Sequence, residues 1–79
     1  MQFEIIVELK REVLDAEGRA IKETLQRAGA KPLRAVTVSR RFVLDVDDAS
    51  ERDPQKFAEK MARDYLANPV SETFQVRKL

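Results

Sequence analysis

A chain of 79 residues with neither cysteine nor histidine holds one domain, residues 1–79. It lacks the side chains that most often ligate zinc or form nucleophile–base pairs, so no metal site and no catalytic residue is expected, although a carboxylate-only metal site or an Asp/Glu acid–base pair stays open. Fifteen Lys and Arg against fourteen Asp and Glu leave a net charge of +1, far from the strongly basic profile of a nucleic-acid module.

The first segment alternates. Phe3, Ile5, Val7 and Leu9 fall on one side, and Glu4, Glu8 and Lys10 on the other, which is the mark of a half-buried strand. Ile6 interrupts the polar side. Val13-Leu14-Asp15 connects to a helix over 16–28, with Asp15 as its cap in preference to an acid or base, and Ile21, Leu25 and Ala28 as its apolar stripe. Gly29 stands where a C-terminal cap belongs, and Pro32 follows.

A second strand is predicted over 33–39 and a third over 41–47, the latter with Phe42, Leu44 and Val46 on one face and Val43 opposed. The short join at Ser39-Arg40 predicts an antiparallel hairpin. The arginines Arg40 and Arg41 at that turn offer a grip for a phosphate or an acidic patch, but their first reading is a solvated pair. Asp53-Pro54 marks a second helix over 54–67, with Phe57, Ala58, Met61, Ala62, Tyr65 and Leu66 as its core stripe. Pro69 ends that helix, Asn68 before it tolerates left-handed backbone, and Val70 opens a last strand over 70–77.

The order β-α-β-β-α-β predicts an α+β fold: a four-stranded, largely antiparallel sheet with both helices on one face, ferredoxin-like or related. Ile6 and Val43 would then mark the second sheet face as a partner surface, and Asn68, Pro69 and Val70 a contact loop at the sheet end. A domain this small buries only roughly 60–65% of the surface of its unfolded chain, so assembly with a second copy, as a dimer or higher, is expected. No apolar run spans a membrane and the first residues lack a signal-peptide layout; a cytoplasmic protein is expected.

Several short motifs, spread over nearly the whole chain, resemble the PurS family. They are Val7-Glu8-Leu9-Lys10, Val13-Leu14-Asp15 with Gly18, Leu25 with Gly29, and Leu66-Ala67-Asn68-Pro69-Val70 with Glu72. The chain departs from the pattern at Ser39, where a turn glycine would be usual, and at its basic end, Arg77-Lys78. PurS is the small subunit of the multi-subunit formylglycinamide ribonucleotide amidotransferase (phosphoribosylformylglycinamidine synthase) of de novo purine biosynthesis. The resemblance implies a subunit of a carbon–nitrogen ligase that has no catalytic residues of its own and binds no cofactor. It implies a homodimer that bridges a glutaminase subunit, which releases ammonia, and a synthetase subunit, which uses ATP and Mg to activate the substrate amide. Two other classes stay in view. A small homo-oligomeric ligand-binding regulatory domain would want a glycine-rich loop, and only Gly18 and Gly29 are present. An RNA-binding module would want exposed aromatics on the central strands and a basic sheet face.

Overall fold

The computed structural model describes all of residues 1–79. Strand β1 spans Gln2–Leu9, helix α1 Ala16–Arg27, β2 Ser39–Asp45, α2 Pro54–Met61, and β3 Glu72–Lys78. A π-helical turn, Ala62–Leu66, continues α2 without a break. The sheet has the order β2-β1-β3 and is antiparallel throughout. The α+β class stands, with three strands instead of the four expected.

Local chemistry explains the element boundaries. The Asp15 carboxylate accepts the Gly18 amide at 2.8 Å, and that of Asp53 accepts the Lys56 amide at 3.1 Å, so both helices start on a capping aspartate. Gly29 takes φ of 111°, the left-handed conformation that costs least at glycine, and closes α1. Asn68 behaves otherwise than expected. No non-glycine residue has positive φ. The second helix ends through its π turn, in which the Ala67 amide donates to the Ala62 carbonyl, and Ala67 itself is already extended. Val70 is also not yet in a strand, since β3 begins at Glu72.

The core lies between β1 and the second helix. Phe3, Ile5 and Val7 are sealed from solvent by Ala58 and Ala62, with Val46 completing the set. Ala58 and Ala62 are one helical turn apart, and their small side chains let the helix approach the central strand. Each large apolar side chain fully buried there contributes about 1.5–3 kcal/mol. Phe42 and Leu44 on one edge strand and Phe74 and Val76 on the other flank this core, half-buried.

The predicted strand over 33–39 does not pair. Residues 33–38 form neither helix nor strand and lead into β2 at Ser39 with no turn, so the hairpin at Ser39-Arg40 is absent. Part of the arm's backbone bonding goes to α1. The Val38 amide donates to the Asp15 carboxylate at 3.2 Å, and the Leu33 carbonyl accepts the Gln26 side-chain amide at 2.9 Å. Helix and arm therefore run antiparallel as a unit of their own, and α1 does not join α2 on the sheet. Its only buried residue is Gly18, and its stripe residues Ile21 and Leu25 are exposed.

The dimensions follow. The radius of gyration is 16.2 Å and the molecule extends 51 × 25 × 13 Å. A compact domain of this length has a radius near 12 Å. The accessible surface is 6093 Å², against about 4,900 Å² for a compact monomer of this mass. The single chain is folded but unfilled.

Candidate functional site

Three surfaces carry the groups that the sequence marks for contact. The first is an apolar groove between β2 and the second helix. Leu44 and Val46 form its floor, Phe57, Met61, Tyr65 and Leu66 its helix wall, and Val43 its rim, around about 400 Å³. The stripe expected to be core is thus divided. Ala58 and Ala62 face β1 and are buried, whereas Phe57 and Tyr65 are exposed, Tyr65 at 75%. The reason is the missing neighbour: α1, which would cover that wall in a closed fold, projects elsewhere.

The second surface is the sheet face away from the helix. Glu4 sits opposite Arg77 and Val43 in the two registers, and Ile6 sits opposite Arg41 and Gln75. The Glu4 carboxylate accepts from Arg41 and, at 3.1 Å, pairs with Arg77, and its residue is only 8% exposed. The hydrogen bond from Arg41 first, then the charges of both guanidiniums, hold its pKa below the ordinary carboxylate value against the opposing effect of burial. Ile6 lies half-buried in this polar setting, and Val43 is exposed beside it. Arg41 is therefore committed to a carboxylate of its own chain.

The third surface is the turn at the end of the sheet where β1 finishes. The Asn68 side chain accepts the Val70 amide at 2.9 Å, forming a local Asx turn. The Asn68 amide donates to the Glu72 carboxylate at 2.8 Å, and its carbonyl accepts the Glu72 amide at 2.8 Å. Arg40 reaches both Glu72 oxygens, at 3.0 and 3.2 Å, and Lys10 caps the Pro69 carbonyl at 3.1 Å. The Asn68 amide above all, with Arg40 beside it, keeps the Glu72 pKa low against burial. This lattice fixes the turn so that Val70 projects into solvent, 81% exposed.

The five residues marked from sequence do not converge. Ile6 and Val43 share the open sheet face, with Val43 also rimming the groove, while Asn68, Pro69 and Val70 form the separate end turn. Sequence reading missed the groove wall, because a helical stripe at spacing three and four looks the same whether its neighbour is in the chain or outside it. It also missed the role of Gly18, whose position three residues after Asp15 was its signal. None of the three surfaces gathers a nucleophile with a base, and no group of three or more Asp or Glu is placed to hold a metal ion.

The family model described as PurS, phosphoribosylformylglycinamidine (FGAM) synthase, matches residues 2–79. The chain is 29% identical over 76 residues to the phosphoribosylformylglycinamidine synthase subunit PurS of Archaeoglobus fulgidus, covering 96% of this chain and 95% of that one. The solved structure of Bacillus subtilis PurS superposes with a TM-score of 0.87 at 26% identity, over 96% of this chain and 94% of that one. A chain of the PurLQS structure from Thermotoga maritima shares the fold, with a TM-score of 0.77 at 24% identity over 99% and 95% of the two chains.

Proposed function

The chain belongs to the PurS family, subunits of phosphoribosylformylglycinamidine synthase in purine biosynthesis, and from that premise we propose that it is the non-catalytic bridge of such a complex. It works as a homodimer that holds a glutaminase subunit against an ATP-dependent synthetase subunit and supports the passage of ammonia between them. The observation that carries this reading is a contrast between polar and apolar groups. The carboxylates best placed to bind a ligand, Glu4 and Glu72, are taken by arginines and amides of the same chain, while the groove and the α1 stripe stand uncovered. A protein that satisfies its polar groups internally and exposes apolar ones is equipped for assembly and not for substrate turnover.

In the assembled state, Val43 lies in the contact between copies, and the fixed turn Asn68-Pro69-Val70 offers an apolar tip to one of the two larger subunits. Ile6 serves whichever partner covers the open sheet face. The expected fourth strand has its place in the same dimer. Size-exclusion chromatography of the chain mixed with candidate synthetase and glutaminase subunits tests the bridge. All three should elute together when this chain is present, and the other two should separate without it. Co-elution of the two large subunits in its absence overturns the reading.

A further inference from the structure

The end of the sheet where β1 finishes carries two exposed apolar side chains, Leu14 at 71% and Val70 at 81%. Their loops are joined through one residue. The Lys10 amide donates to the Ser71 carbonyl at 2.9 Å and its ammonium to the Pro69 carbonyl at 3.1 Å, while its own carbonyl accepts the Val13 amide at 3.0 Å. Each apolar residue therefore stands beside backbone that Lys10 holds. Leu14 is also fixed from its other side, where the Asp15 carboxylate accepts the Gly18 and Val38 amides, and the Val70 amide donates to the Asn68 side chain. We infer that Leu14 and Val70 are the two points of one docking surface, which seats on an uncharged apolar socket of one of the two larger subunits. Lys10 is the positioning residue that ties the two points together. The inference rests on the bridging reading above and names the surface and the chemistry of its partner.

A single exposed apolar side chain means little, since every soluble surface has some. What distinguishes these two is that their loops are ordered before any partner arrives. A leucine or valine on a loose loop loses much of its contact energy to ordering, whereas one on a bonded turn keeps it. The polar groups nearby exclude other occupants. Arg40 and Glu72 are bonded to each other, so neither is free for a phosphate or for an opposite charge on a partner. Beside Leu14 a cleft of about 710 Å³ opens toward the arm, and its lining includes Glu8, Lys10, Arg11, Glu12 and Asp15. Charges of both signs line it, and Lys10 and Asp15 already have partners, so the cleft selects neither an anion nor a cation. A protein that meets this end gains by covering Leu14 and Val70 and not by pairing charges.

Titration calorimetry of the full chain against the two larger subunits, singly and together, tests the surface. Val70→Asp and Leu14→Asp each put a charge at one point, and both sites are exposed, so the fold is kept; circular dichroism and solution mass check this. Leu79→Asp, exposed at the opposite end of the sheet, is the control. The parent chain should bind, and both point variants should lose affinity for the same subunit by about tenfold or more. The other subunit, the control and the solution mass should be unaffected. Lys10→Met keeps the aliphatic stem, removes the bond to Pro69 and should weaken that same contact. Parental affinity should change little between about 0.05 and 0.5 M salt. Parental binding by both point variants overturns the surface and leaves the bridge intact, as does loss of different subunits by the two or equal loss in Leu79→Asp. Steep weakening by salt overturns the uncharged socket, and an unaffected Lys10→Met overturns the positioning role. A changed solution mass in a folded point variant gives the surface to a second copy and also overturns the inference. A parent chain that binds neither subunit overturns the bridging reading and the inference together.

Discussion

The α-carbon of Gly18 faces the carbonyl oxygen of Val36 so closely that a β-carbon there would collide with it and with the Asp15 carboxylate. This contact joins the first turn of α1 to the arm. Gly18→Ala therefore sets two effects against each other: helix propensity favours alanine by about 1 kcal/mol, while the backbone clash costs about 1–3 kcal/mol. The clash wins, since a carbonyl of an ordered arm cannot swing aside as a side chain would. Urea denaturation should show the variant less stable than the parent. A more stable variant would mean that arm and helix are not docked.

Asp15 serves two segments with one carboxylate, capping α1 through Gly18 and fixing the arm through Val38. Asp15→Ala removes both bonds, and loss of such a cap costs about 0.5–2 kcal/mol. We expect a loss toward the upper end of that range by the same denaturation measurement, together with faster amide exchange at Val38. Unchanged exchange at Val38 would contradict the second contact.

Glu4 and Glu72 both titrate below their ordinary value of 4.5 in the folded chain. A depressed carboxylate binds fewer protons folded than unfolded, so stability rises with pH through its titration range. The contribution is complete above the unfolded pKa and is lost as pH falls through the folded one. Denaturation midpoints should thus drop between neutral pH and about pH 3, and Glu4→Gln should flatten that drop. An acid limb of the same steepness in Glu4→Gln would show that the Arg41–Glu4–Arg77 cluster contributes nothing.

The element types were legible because each has a local cause: alternation in β1, Asp15 and Gly29 around α1, Asp53-Pro54 before α2. The caps could be read residue by residue. The strand count could not. Residues 33–38 have the composition of a strand, but pairing requires a neighbour, and whether the chain turns at Ser39-Arg40 or runs straight decides where that neighbour comes from. The same ambiguity placed Phe57 and Tyr65 in a core that this chain alone does not close. At the site, the end turn was found through Asn68-Pro69, although its cause is the bonding of Glu72 to Asn68 and Arg40 and not left-handed backbone. Ile6 and Val43 were correctly read as facing away from the helix, yet nothing local discloses that Arg41 and Arg77 close over Glu4 between them.

Leu25 lies in the middle of the exposed α1 stripe. If a second copy covers it, Leu25→Ala forfeits about 2–3 kcal/mol of dimer stability, which is a dissociation constant about 30- to 150-fold higher. Sedimentation equilibrium across a dilution series measures that shift. An unchanged constant would place the dimer contact on another surface.

The bridging role is tested most directly by nitrogen source. Synthetase and glutaminase subunits are assayed for formylglycinamidine ribonucleotide formation with and without this chain, once with glutamine and once with free ammonia. The account predicts that omitting the chain abolishes the glutamine-driven reaction and leaves the ammonia-driven one in place, because only delivery between subunits depends on the bridge. Full glutamine-driven activity without the chain would contradict it.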